Sequence, residues 1–233
     1  VCLAEPKLTF GVNAPGSPPY LYLTKNSTEY RGVIPDLLNK LKQRHGYKIK
    51  YIDSFRKRTE TFLYNGDIDG FLSSVHWLDY PEKLIYSEPV AHHRSYFYSN
   101  LPFTNRLKLE DITGVDVCTR RGYIYPALAA YFFSGKLKRV DSSDQLSMLN
   151  MVKINRCEMA VMHEFNALTI LSSANFQGHK IYQSPFPVDV VNLSIILRPE
   201  LIEVKRLLDE IIINMKNSGE LEKSLKHHIK VAM

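Results

Sequence analysis

The order of two periodicities constrains this chain more than anything else in it. Short runs that alternate apolar and polar residues trade places with runs whose apolar residues recur every third or fourth position, and the series occurs twice. "KLTFGVN" (Lys7 to Asn13) reads as a strand that stops at a Pro/Gly/Ser cluster. "GVIPDLLNKLKQRHG" reads as a helix, with Pro35 in its first turn, Val33, Leu37, Leu38 and Leu41 on one face, and Gly46 just past its end. "YKIKYID" is a second strand, "RKRTETFLYNG" a short helix closed by Gly66, and "DIDGFLSS" a third strand. Strand, helix, strand, helix, strand in that order predicts a parallel sheet flanked by helices.

The pattern restarts near Val115. "VDVCTR" is a strand, "YPALAAYFFSG" a helix stopped at Gly135, and "KLKRVDS" a strand. "SSDQLSMLNMVKINR" is a helix with Ser142 or Ser143 as N-cap, "CEMAVM" a strand, and "NALTILSSAN" a helix. The last stretch predicts two helices broken at Gly219, the first with an apolar stripe through Leu201, Val204, Leu208, Ile211, Ile212 and Met215. Two such half-chains predict an α/β protein of two lobes. The connections "RSYFYSNLPFTN" and "SPFPVDVVNLSIILR" are extended and apolar, so they read as crossing hinge strands and not as flexible tethers.

Composition narrows the function classes. A chain of 233 residues with 45% hydrophobic and 23% charged residues has enough apolar material for a proper core. The net charge of +6 is spread over mixed-sign faces with no basic stripe, which argues against nucleic acid. No apolar run approaches the roughly 20 residues of a membrane helix. The opening "VCLA" reads either as the remnant of a secretory signal ending at Ala4, which would include Cys2, or as a plain exposed terminus. Cys118 and Cys157 are either a disulfide, as an export context permits, or two buried thiols.

No GxSxG, P-loop, GxGxxG, HExxH or CxxC is present, and the adjacent pairs His92-His93 and His227-His228 diverge in direction, so neither chelates a metal alone. No cofactor is expected. Catalysis would need a nucleophile with its base, a metal, or a matched acid and base, and none stands out.

Seven stretches in order, "LTFGVNAPGSPPYLYL", "YRGVIPDLLNKLKQRHG", "FRKRTETFLYNGDIDGFLSSV", "PEKLIYSEPV", "EDITGVDVCTRRG", "INRCEMAVM" and "MKNSGELEKSLKHHI", resemble the extracellular solute-binding proteins of family 3. The resemblance implies a type II periplasmic-binding-protein fold: lobe 1 from residues 5–98 and 188–233, lobe 2 from 99–187, and ligand held in a cleft between them. It also implies a periplasmic, monomeric, non-enzymatic receptor that closes on a small solute and delivers it to the membrane subunits of an ABC transporter. The alternative is a sensor module signalling to a membrane kinase or cyclase. Some relatives of the fold are dehydratases of the cyclohexadienyl type, for which Glu164 or Glu88 would be the carboxylate.

Open α/β sheets bind ligands beyond the carboxyl ends of their strands. That rule selects Ser74, His76 and Trp77 after the third strand, and Tyr20 after the first as a stacking ring. Members of the family that take α-amino acids carry an Arg before the "S-x-P" element and an Asp after the strand matching "CEMAVM". This chain has Tyr80, Pro81 and Lys83 in the first region and His163 at the second position, so a standard α-amino acid is not expected. Arg58 heads a helix at a spacing where divergent members carry an Arg. Arg121 and Tyr123 belong to a strand-to-helix turn whose backbone N–H groups would favour an anion. The expected solute therefore bears a carboxylate or similar anionic group and some flat or apolar surface.

Overall fold

The computed structural model describes residues 5–13, 16–24 and 27–232, so the expected signal remnant at 1–4 lies outside the described residues. In chain order the main elements are β1 (Lys7–Asn13), α1 (Val33–His45), β2 (Lys48–Ser54), α2 (Arg56–Asn65), β3 (Gly70–Ser73), β4 (Ala91–Ser99) and β5 (Val115–Arg120). There follow α3 (Ala129–Phe133), β6 (Leu137–Ser142), α4 (Gln145–Lys153), β7 (Met159–His163), α5 (Glu164–Leu171), β8 (Asp189–Leu197), α6 (Ile202–Asn217) and α7 (Glu220–Ala232).

The chain divides into two compact α/β units. The first runs up to His92 and resumes from Asn192 to Ala232; the second is His93–Val191. Both crossings fall inside strands, β4 and β8, not at 98/99 and 187/188 as the sequence reading has them. The two extended apolar connections are thus strands that pass from one unit to the other.

In the first unit β1 is central. It pairs in parallel with β2, from Lys7 opposite Lys48 to Asn13 opposite Ser54, and with β3, Phe10 facing Gly70. The end of β8 runs antiparallel to β3, Leu197 opposite Gly70. Strand alternation sends Leu8, Phe10 and Val12 to one side, where they pack with Leu37, Leu38 and Leu41 of α1 and Leu208, Ile211 and Ile212 of α6. The α6 stripe is the expected one with Leu207 added, while Leu201 stays in the preceding turn. On the opposite side α2 approaches closely because Gly11 has no side chain. A Cβ there would lie 2.5 Å from Ile68 Cδ1 and 2.7 Å from Thr59 Cγ2. Leu63, Ile68, Phe71 and Ile196 form the core under α2.

The start of α1 is closed by backbone. Val33 and Ile34 donate to the Pro19 and Tyr20 carbonyls at 3.1 and 2.9 Å. Gly32, at φ 127°, permits this approach, because a side chain there would collide with the Tyr20 carbonyl.

The second unit builds its parallel sheet from β6, β5 and β7, with β4 antiparallel to β7. Two local expectations are corrected. The N-cap of α4 is Asp144, whose Oδ1 accepts from the Ser147 N–H at 2.7 Å; β6 runs on through Ser142, which moves the helix start past both serines. The helix expected over 125–135 is a 3-10 turn, Pro126–Leu128, followed by the short α3, because Tyr125 turns inward to pack.

Cys118 of β5 and Cys157 before β7 form a disulfide, with Cα atoms 5.8 Å apart. The bond closes a sequence separation of 39 residues. Loop-closure entropy makes such a link worth about 4 kcal/mol. Reductant should therefore lower the melting temperature of the protein, and a Cys118→Ser/Cys157→Ser variant should melt where the reduced parent does and ignore reductant. Calorimetry with and without dithiothreitol checks both.

Candidate functional site

In the first unit the parallel strands end side by side at Asn13, Ser54 and Ser73–Ser74. These ends differ in how their polar groups are used. Ser54 Oγ is spent on Thr59 Oγ1 at 2.5 Å. Asn13 Oδ1 and the fully buried Ser74 Oγ have no hydrogen-bond partner among the described residues. A buried polar atom left without a partner costs of the order of 1–3 kcal/mol, so two at neighbouring strand ends mark a place where a polar ligand would be welcome.

Beyond Ser74 the chain makes a 3-10 turn, Val75–Trp77, that leaves the His76 side chain exposed and Trp77 half-buried. Of the two arginines in the first turn of α2, Arg56 is the one that turns inward: its Nη2 donates to the Trp77 carbonyl. Arg58 is exposed, its guanidinium 5.1 Å from the Phe62 ring centroid. Phe55, at the N-cap of α2, is 78% exposed at the end of β2. Sequence reasoning passed over it because it sits in a boundary position with no periodicity. Tyr20 is placed differently from an open stacking ring: it is 1% exposed, in the turn tied to Gly32. Lys83 lies over the Tyr80 ring at 4.3 Å.

In the second unit the parallel strands end at Arg120, Ser142 and His163. The turn after β5 does not offer free N–H groups as expected at these positions. Arg120 N–H donates to the Tyr125 hydroxyl at 3.0 Å, Arg121 N–H to the Ser142 carbonyl at 2.9 Å, and Tyr123 N–H to the Arg120 carbonyl at 3.1 Å. Arg121 is exposed, and the Tyr123 ring is 49% exposed and 5.8 Å from the Arg120 guanidinium. Among the described residues no group of three or more His, Cys, Asp and Glu side chains converges to hold a metal ion.

His163, expected at the strand end, is its last residue and is 2% exposed. It stacks on His93 of β4, with centroids 3.7 Å apart and planes 7° from parallel, and Phe165 meets it edge-on at 5.1 Å. The sequence places these histidines 70 positions apart, and only the β4–β7 ladder brings them together. Burial pushes the His93 imidazole down to about 4. Burial, with His93 beside it, takes His163 well below the usual histidine range. Both rings are neutral at pH 7. Next to them Arg94 lies 4.0 Å from Glu164, whose carboxyl is raised by burial against the pull of that arginine.

The sign of the pH dependence follows. A histidine whose folded pKa lies below its unfolded value near 6.5 contributes stability above that value, and loses it as pH falls toward 4. The second unit should therefore lose stability between pH 6.5 and 4, and a His93→Phe/His163→Phe variant should show a flatter profile. Melting curves across that range, with histidine C–H resonances as site reporters, measure it.

Residues 8–231 match the family described as bacterial extracellular solute-binding proteins, family 3. A comparison with curated proteins returned no match. Among solved structures, the GluR0 ligand-binding core in complex with L-glutamate superposes with a TM-score of 0.78 at 10% identity, covering 97% of this chain and 100% of that one. A histidine kinase sensor domain with similarity to periplasmic binding proteins gives 0.76 at 16% identity, covering 95% of each chain. An amino acid ABC transporter substrate-binding protein from Streptococcus pneumoniae, bound to L-arginine, gives 0.76 at 14% identity, covering 98% and 97%. At these identities the likeness is one of fold, the type II periplasmic-binding-protein fold, while the match along nearly the whole sequence carries the kinship. This chain belongs to family 3 of the bacterial extracellular solute-binding proteins.

Proposed function

We propose that this chain is a periplasmic receptor that closes on a small anionic solute, taken at the carboxyl ends of its parallel strands, and delivers it to the membrane subunits of an ABC transporter. Family membership supports the class. The observation that carries the site is the pair of buried, unpartnered atoms Asn13 Oδ1 and Ser74 Oγ at neighbouring strand ends, where open α/β sheets take ligands. The exposed cations Arg58 and Arg121 are available to an anionic group, and Phe55, Trp77 and Tyr123 supply flat surface. His163 offers a neutral ring where the relatives that take α-amino acids have a carboxylate for the ammonium group, so an α-ammonium is not the feature recognised. His76 is a peripheral contact in this reading, and Tyr20 supports the site from behind. The solute leaves as it came, since the chain binds without reacting.

A second reading, the ligand-sensing domain of a membrane kinase or cyclase, is favoured by the fold shared with the histidine kinase sensor domain. Transport of the solute by a co-encoded permease, or its absence, separates the two.

The solute can be found by denaturing the purified protein and identifying what is released by mass spectrometry, then tested by calorimetry against carboxylates, neutral sugars and cations. At a solute concentration of 100 times Kd the parent gains about 2.7 kcal/mol of stability, and it becomes more compact in small-angle scattering. Ser74→Ala should leave the unligated melting temperature unchanged or slightly raised, because it removes a polar atom that nothing satisfies, and should weaken solute binding about tenfold. Binding confined to neutral sugars or cations, or an affinity that ignores Ser74→Ala, overturns the reading.

A further inference from the structure

One face of α2 reaches across to the backbone that follows β3. Arg56, Glu60 and Tyr64 stand one helical turn apart, and each claims a main-chain group of the segment 77–80. Arg56 Nη2 donates to the Trp77 carbonyl. Glu60 Oε1 accepts the Asp79 N–H at 2.7 Å. The Tyr64 hydroxyl accepts the Tyr80 N–H at 3.0 Å, and its ring meets Tyr80 edge-on with centroids 5.8 Å apart.

The three side chains are also joined to one another. Tyr64 donates to Glu60 Oε1 at 3.0 Å, and Arg56 Nη2 lies 3.4 Å from Glu60 Oε2. Glu60, 5% exposed, is the hub, a buried carboxylate with three donors around it. Burial pushes the Tyr64 phenol up to about 12, with the Glu60 carboxylate acting in the same direction, so its proton stays in place for Glu60. Within the segment itself, Trp77 N–H reaches the Ser74 carbonyl at 3.0 Å, while the next turn is longer, Leu78 N–H to the Val75 carbonyl at 3.4 Å.

We infer that Arg56, Glu60 and Tyr64 are positioning residues for the solute site: this face of α2 sets the shape of the Ser74–Tyr80 segment before solute arrives, with Glu60 as the group on which the arrangement turns. Setting the shape in advance removes an ordering cost from binding. The link to affinity rests on the receptor reading above, whereas the fixing of the segment does not.

Trp77 is the one tryptophan of the chain, so its fluorescence reports this segment alone. The experiment uses the full chain without solute, with acrylamide as the quencher and steady-state anisotropy alongside. Tyr64→Phe keeps the ring against Tyr80 and loses only the hydroxyl, so it folds even where Glu60→Ala does not. Tyr64→Phe and Glu60→Ala should raise acrylamide quenching of Trp77 roughly twofold and lower its anisotropy, as expected of a loosened segment. Far-UV circular dichroism should be unchanged. Glu60→Gln, which keeps an acceptor oxygen, should stay close to the parent. Quenching equal to the parent in both Tyr64→Phe and Glu60→Ala overturns the proposal. In the second arm, the solute released from the parent on denaturation should bind Tyr64→Phe about tenfold more weakly. Altered quenching with unaltered affinity overturns the positioning role, while a parent that binds no solute overturns the receptor reading and leaves the fluorescence result standing.

Discussion

Parallel strands covered by helices on both sides can place polar groups only at their ends, and this constraint governs the molecule. β1 shows it most clearly. Leu8, Phe10 and Val12 are consumed by α1 and α6 on one side, Gly11 is emptied for α2 on the other, and the strand ends on the polar Asn13. β2 and β3 stop level with it at Ser54 and Ser73, β2 as a partly exposed strand that carries Lys48, Lys50 and Asp53 to solvent. Burial of the strands and location of the candidate site are thus one fact seen twice: backbone hydrogen bonds and apolar packing exhaust the interior, and chemistry collects at the carboxyl edge.

The two units use that edge differently. The first leaves Asn13 Oδ1 and Ser74 Oγ without a partner among the described residues, a local cost for a buried polar atom. In the second the Arg120, Arg121 and Tyr123 amides are engaged within the protein, and the arginine side chains carry charge at this edge. Some of that charge is already answered. Burial opposes ionisation of Asp141, but the Thr119 hydroxyl, then Arg139 and Arg121, hold its carboxyl below the usual carboxylate range. The stacked rings of His93 and the buried His163 are neutral, so this strand end carries no charge of its own.

Much of this was legible in the residues. The strands VDVCTR and KLTFGVN and the face of α1 carry unmistakable periodicity, and Gly46, Gly66 and Gly135 end their helices in the left-handed conformation that glycine accepts most readily. The misplacements have local causes. Ser142 and Ser143 look like caps as well as Asp144 does, and only the length of β6 chooses among them. The helix proposed over 125–135 shares its pattern with a 3-10 turn followed by a short helix, because Tyr125 is apolar enough for either. Arg56 and Arg58 are equivalent on paper; a helix of 100° per residue sends one inward and the other out, and the packing of α2 decides which. The rows of side chains that tie α2 to residues 77–80, and the pairing of His93 with His163, join positions far apart in the chain that no periodicity connects.

By itself the sequence determined the class of the fold, the twice-repeated order of strand and helix, the strand ends at which polar residues gather and the family, because those follow from local pattern read along the chain. It left open whether Cys118 and Cys157 join, and the tertiary structure joins them across β5 and the turn before β7. Tertiary structure alone decided which polar atoms are left without partners, which arginine turns inward, and which histidines touch. Those outcomes depend on distances between residues remote in sequence, and such distances exist only once the sheets are assembled.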